Sequence, residues 1–177
     1  MKILKKIIIA ILLLLVLVLV IALFMPKEYT MERDITINRP QAQVYDYARM
    51  IKNQDYYNVW VMMDPGMKKT YTGTDGTVGF LYAWDSEKKA GKGEQQITKL
   101  EQNNLVAYEL RFIKPFEGKA ECNVRLQQTD TSTTNVNWSF HSSMAYPMNI
   151  MLPFVKGMMG KNMEETLSNM KREIEKK

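Results

Sequence analysis

Apolar and polar positions follow three different rhythms along this chain. Ile7 to Phe24 is an unbroken run of 18 apolar residues. Beyond it, Tyr29 to Ile37 alternates, with Met31, Ile35 and Ile37 set against Glu32, Asp34 and Thr36, which predicts a strand. Asn38-Arg39-Pro40 then signals a helix start, with Asn38 as cap, and Val44, Tyr47, Ala48 and Ile51 recur at helical spacing to an end near Lys52–Tyr56. Period two returns in Lys68–Thr72, Thr77–Trp84, Gly93–Glu101, Leu105–Phe112, Lys119–Thr129 and Thr133–Ser142. Turn residues separate these runs at Thr74-Asp75-Gly76, Lys89-Ala90-Gly91, Gln102-Asn103-Asn104, Lys114-Pro115 and Asp130-Thr131-Ser132. A final helical stripe from Met148 to Glu175 carries Val155, Met159, Met163, Leu167, Met170 and Ile174 on one face. Strand, short helices, an antiparallel meander and one long terminal helix describe an α+β domain. A curved sheet laid around that helix buries both apolar faces.

The first run sets the cellular context. As a helix it is about 27 Å long, close to the thickness of a bilayer's hydrocarbon core. A cleaved signal peptide shares its basic start and apolar middle. However, this run is longer than a signal's apolar stretch of roughly 7–15 residues, and no small-x-small cleavage pattern follows it. The expectation is therefore an uncleaved anchor within residues 1–26, with Ile7, Leu15 and Phe24 marking its start, middle and end. Residues 27–177 form the domain it holds. Lys2, Lys5 and Lys6 precede the span, which predicts a cytoplasmic N-terminus and an extracytoplasmic domain, on the periplasmic side in a Gram-negative cell.

Composition narrows the partners. The 24 basic residues, less the three lysines before the span, leave 21 against 19 acidic residues, so the domain is nearly balanced. Such a balance gives no electrostatic reason to expect nucleic acid. Cys122 is the only cysteine, so no intrachain disulfide forms, and its alternating neighbours place it on the apolar side of a strand.

At this point the local sequence resembles the START-like, helix-grip superfamily, especially its bacterial polyketide cyclase/dehydrase and lipid-transport (SRPBCC) branch. The resemblance runs from Tyr29 to Lys177. It is carried by Ile35-Thr-Ile-Asn-Arg-Pro-Gln-Ala-Gln-Val-Tyr-Asp-Tyr47, Asn58-Val-Trp-Val-Met-Met-Asp-Pro65, Gly76-Thr-Val-Gly79 with Trp84, Gly91-Lys-Gly93 with Ile97, Phe112-Ile-Lys-Pro115 and the methionine-rich last helix. It implies a helix-grip fold with two short helices after the first strand and a deep cavity between sheet and terminal helix. Its members include ligand carriers, enzymes and sensors, so the activity has to be argued from the site.

Candidate cavity residues are Trp60, Tyr82, Trp84, Tyr108, Phe112, Trp138, Phe140, Met151, Val155 and Met159. Aromatics on strands and methionines on a helix also simply fill cores, and both readings stand at this stage. Pro153, Gly157 and Gly160 either make the start of the last helix flexible, as a gate, or Pro153 marks where the helix begins. Catalytic chemistry has little support. His141 is the only histidine, which excludes a His-rich metal site, and it shares an outward face with Asn137 and Ser139; no metal or cofactor is expected. Glu109 and Arg111 alternate outward as a solvated ion-pairing face. Gly157-x-x-Gly-Lys161 lacks the spacing of a phosphate loop.

The expectation is a membrane-anchored, non-enzymatic binding protein for a hydrophobic or lipid-like small molecule, with the bilayer and that ligand as partners. A cyclase- or dehydratase-like enzyme with a cavity acid or base is one alternative. A stress-response interaction module with a packed interior is the other.

Overall fold

The computed structural model describes residues 2–87 and 90–176. Helix α1 (Lys2–Phe24) comes first and is long and apolar enough to cross a bilayer. It is followed by β1 (Glu28–Ile37), α2 (Gln41–Ala48), a 3₁₀ turn (Ile51–Asn53), α3 (Gln54–Tyr57) and α4 (Val59–Met62). Six strands come next: β2 (Lys68–Thr72), β3 (Leu81–Asp85), β4 (Lys92–Glu101), β5 (Leu105–Lys114), β6 (Gly118–Asp130) and β7 (Thr133–Ser143). A second 3₁₀ turn (Met148–Met151) leads into α5 (Leu152–Glu175). The seven strands form one antiparallel sheet in the order β1-β7-β6-β5-β4-β3-β2. Placing β1 beside β7 brings the membrane-proximal end of the chain next to the connection that leads into α5. This is the helix-grip arrangement, in which α5 lies along the concave face of the sheet.

Three local expectations change. Pro40, not Asn38, occupies the N-cap of α2, and no side chain caps it; the Asn38 N–H instead donates to Glu175 Oε1 at 2.7 Å, tying the entry of α2 to the end of α5. The helical region also continues past Tyr56, because Asn58 breaks it and restarts it: the Asn58 side chain accepts the Trp60 N–H at 3.0 Å and caps α4. Strand β3 begins at Leu81 rather than Thr77, and Val78 is 59 % exposed. Turn hydrogen bonds from Thr77 N–H to Thr74 O and from Phe80 N–H to Thr77 O consume the donors a longer strand needs. The Asp75 carboxylate in this turn accepts the N–H groups of Ile51 (2.8 Å) and Lys52 (3.1 Å), so the turn caps the short helices. Of the expected turn at 89–91, Lys89 lies outside the described residues, as does Lys177 at the end of the domain.

The space between sheet and helix is filled unevenly. The C-terminal half of α5 presses Met163, Leu167, Met170 and Ile174 into a core with Ile37, Val44, Val136 and Leu126. Polar groups there are paired: Thr166 Oγ1 accepts the Val59 N–H at 3.2 Å, and Asn169 Nδ2 donates to Tyr57 O at 3.2 Å. Cys122 is buried in the same core, as its neighbours predict. Towards the N-terminal half of α5 the filling stops and the cavity begins.

Two glycines hold the far wall. Gly91 has φ +62°, and a Cβ there would lie 2.2 Å from the Lys114 carbonyl oxygen, a backbone atom that cannot swing aside. Gly91→Ala is expected to lower stability by about 1–3 kcal/mol, read as a lower urea midpoint with unchanged slope. Gly93, paired with Trp84 across β3 and β4, leaves room for the indole, which a Cβ would meet at 2.5 Å.

Candidate functional site

The cavity has a volume of about 590 Å³, within the range of small-molecule sites. Its floor is the concave face of β3 to β7, and its roof is the first half of α5. Alternation along each strand brings Tyr82 and Trp84, Gln95, Tyr108, Leu110 and Phe112, and Trp138 and Phe140 to the same inner face. Trp60 reaches in from α4 and packs edge-on against Trp138, with ring centroids 6.2 Å apart. Along one wall, Tyr82, Trp84 and Phe112 follow each other in ring-to-ring contact at 5.7 and 6.3 Å, and Tyr71, outside the lining, stacks on Tyr82 at 5.5 Å. The walls are therefore aromatic, sulfur-rich and close to continuous.

The structure brings nine of the ten residues singled out in the sequence to this lining: Trp60, Tyr82, Trp84, Tyr108, Phe112, Trp138, Phe140, Val155 and Met159. Met151 is not among them. It ends the 3₁₀ turn, whose tighter pitch rotates it to the exposed side and leaves Met148 and Val155 to complete the wall. Helix α5 starts at Leu152 with Pro153 in its first turn, and it continues without a break through Gly157 and Gly160. Gly160 serves packing: a Cβ there would collide with the Arg33 guanidinium, which lies over the helix and bonds Glu164 at 2.7 Å.

The sequence reading missed the polar members of the site. Gln54, Asn58 and Gln95 all line the cavity. Gln54 and Asn58 satisfy one another, Asn58 Nδ2 donating to Gln54 Oε1 at 3.1 Å. Gln95 differs: it is only 4 % exposed, and its amide nitrogen has no acceptor among the described residues. A buried donor left unpaired costs about 1–3 kcal/mol. The period-two pattern of β4 placed Gln95 inward, between Gly93 and Ile97, and that was the available signal.

Titratable groups in the described lining are mostly tyrosines, and burial raises three of them, Tyr29, Tyr82 and Tyr108. Burial pushes Tyr82 well above the ordinary tyrosine range, and nearby Tyr71 and Asp55 push it further; its hydroxyl donates to Met67 Sδ at 3.4 Å. Tyr108 is raised by burial and by the adjacent Cys122. The Trp138 indole N–H lies beside both groups but completes no hydrogen bond. Burial also raises Tyr29, partly offset by its hydrogen bond with Ser142. The one carboxylate among the described lining residues is Glu117, exposed at the mouth.

Outside the cavity the buried Asp64 carboxylate accepts the Ser86 hydroxyl at 2.6 Å, and the remaining candidates show ordinary surface chemistry. His141 is exposed on the convex face, with Nδ1 3.0 Å from Thr30 Oγ1. Arg111 bonds Glu94 (3.0 Å) and Glu109 (2.8 Å) on that same face. No group of three or more potential metal ligands occurs among the described residues. Ile7, Leu15 and Phe24 lie exposed along α1.

Comparison with known proteins agrees with this geometry. No curated protein matches the chain in sequence. Among solved structures it is similar to the Zhui aromatase/cyclase of Streptomyces sp. R1128, with 13% identity, TM-score 0.65, and 84% of this chain and 94% of that one covered. It is also similar to norcoclaurine synthase of Thalictrum flavum, solved in complex with dopamine and hydroxybenzaldehyde (11% identity, TM-score 0.60, coverage 85% and 88%). A third is protein MLL2253 of Mesorhizobium loti (13% identity, TM-score 0.60, coverage 84% and 98%). Identities this low establish a shared fold. The family model for "Polyketide cyclase / dehydrase and lipid transport" matches residues 28–175, the whole sheet and α5, and the chain belongs to that family.

Proposed function

We propose that this protein is a membrane-anchored binding protein for a hydrophobic or lipid-like small molecule carrying one hydrogen-bond acceptor. The observation that carries this reading is the aromatic, methionine-lined cavity of about 590 Å³, whose described lining holds two unpartnered buried donors, the Gln95 amide and the Trp138 indole N–H. Burying a ligand's apolar surface there supplies most of the affinity, at about 25 cal/mol per Å² before the costs of association. A carbonyl or hydroxyl oxygen on the ligand meets the Gln95 amide and sets its orientation. The volume argues against the packed-interior alternative.

Proton transfer is less well served than binding. A cyclase-like reaction needs a group that changes charge near neutral pH. The inner tyrosines are pushed away from that range, and Glu117 sits in water at the mouth. Helix α1 supplies the tether, and Lys2, Lys5 and Lys6 favour a cytoplasmic N-terminus, with residues 27–177 on the other side.

The test is uptake of a lipophilic fluorescent dye by the detergent-solubilised full chain. One dye per chain is expected, and Val155→Trp, which adds an indole to the cavity, weakens uptake about tenfold with melting largely unchanged. Gln95→Leu leaves a purely hydrocarbon probe bound as tightly or tighter. The same change weakens a probe bearing a ketone by about tenfold. Stoichiometric uptake that ignores Val155→Trp, or no uptake at all, contradicts the reading.

A further inference from the structure

The end of the apolar helix is not joined to the domain by a free linker. Only Met25, Pro26 and Lys27 separate α1 from β1. Asn149, fully buried in the turn before α5, donates from Nδ2 to Ala22 O at 2.7 Å and to Met25 O at 3.1 Å. Ala22 O also accepts the Met25 N–H at 3.4 Å, and Met25 O lies just past the end of α1, where the helix itself supplies no donor. Ala22 is the one buried residue of α1, and it is buried at this contact. The Met144 N–H donates to Lys27 O at 2.7 Å and fastens the strap a second time. Met144, Ala145, Tyr146 and Met148, which directly precede Asn149, are also part of the cavity wall. The apolar helix is thus fixed beside the mouth of the cavity.

Exposed apolar side chains gather at that same mouth. Phe116 on the β5–β6 turn is 70 % exposed, and exposed Met148 and Met158 belong with it to the cavity lining. Phe154, on the first turn of α5, is 66 % exposed and outside the lining. Single exposed apolar residues mean little, but a cluster around an opening marks a contact surface. In the chain segments next to these residues, Lys27, Lys114 and Lys156 are exposed, as are Glu28 and Glu117.

From this we infer that the mouth of the cavity faces the bilayer: the apolar collar around Phe116 and Phe154 enters the interface between headgroups and acyl chains, and ligand passes between leaflet and cavity without crossing water. The inference rests on the anchored-carrier reading. The occupant of the collar is lipid because α1, clamped next to it, continues directly into the hydrocarbon.

The test uses the full chain in vesicles of phosphatidylcholine with phosphatidylglycerol. Phe116→Cys, Phe154→Cys and Thr131→Cys are each labelled with an environment-sensitive fluorophore, while Cys122 stays buried and unlabelled. Thr131 lies on the β6–β7 turn, at the sheet end opposite Ser143 and the strap. Phospholipids spin-labelled near the headgroup should quench the probes at 116 and 154 severalfold and leave the probe at 131 unquenched. Phe154→Glu should slow dye transfer from vesicles about tenfold without changing dye affinity in detergent. Equal quenching at all three positions, failure of the chain to co-sediment with vesicles, or energy transfer between collars of two copies would overturn the inference. Absent quenching with intact dye uptake in detergent sinks the orientation alone. Quenching without dye uptake sinks the carrier reading and leaves the docked collar standing.

Discussion

Raising the pH above about 10 destabilises the domain by about 1.4 kcal/mol per pH unit for each of Tyr57, Tyr82 and Tyr108. All three are buried, and all three are raised well above the usual tyrosine range, chiefly by loss of hydration of the phenolate. A group whose pKa is higher when folded contributes stability that is fully present below the unfolded value. That contribution is lost as pH rises through the folded value, because the unfolded chain releases its proton first. Exposed surface ion pairs such as Lys92–Asp85 contribute little to stability and give no comparable slope. Urea unfolding at pH 8, 10 and 11 measures the effect, with tyrosinate absorbance followed alongside. Tyr57→Phe should remove one increment of slope. Stability that stays flat from pH 10 to 11 would mean that these hydroxyls are hydrated.

Leu167→Ala is expected to cost about 2–5 kcal/mol, the largest effect of any single truncation on α5. Leu167 lies in the closely packed half of the interior with Met170, where the open space beside it is only about 20 Å³, against about 590 Å³ in the main cavity. Met159→Ala, facing the open half, should cost clearly less, because its neighbours on one side are cavity rather than protein. Exposed Met148→Ala should stay within about 0.5 kcal/mol. Chemical unfolding of the three variants gives the ranking. An equal cost for Leu167 and Met159 would show that the two halves are filled alike.

Much of the fold was legible because its signals are local and repeated. Alternation in Leu105–Phe112 and Thr133–Ser142 found β5 and β7 and put Tyr108, Trp138 and Phe140 inward. The stripe from Val155 to Ile174 found α5. Legibility failed where a tertiary contact replaces a local rule. The Asn38 N–H is engaged by Glu175 from the far end of the chain, so a sequence window around Pro40 shows no sign of it. Asp75 holds the turn that shortens β3 by bonding residues more than twenty positions earlier. Met151 obeyed the helical period on paper but sits in a 3₁₀ turn, whose pitch moves it out of phase. Gln95 went unnoticed because a glutamine on a polar strand reads as solvent-facing, and only its buried, unpaired amide marks it as part of a site. Asn149 carries no sequence signal at all, since its partners are backbone carbonyls of a helix that began as a mere apolar run.

The most direct test of the proposed binding role is native mass spectrometry of the full chain extracted gently from membranes, followed by identification of whatever leaves on activation. An apolar molecule bearing an oxygen acceptor is predicted, held one per chain and depleted in Val155→Trp. A chain that flies empty from membranes, and stays empty after incubation with extracted membrane lipids, would contradict it.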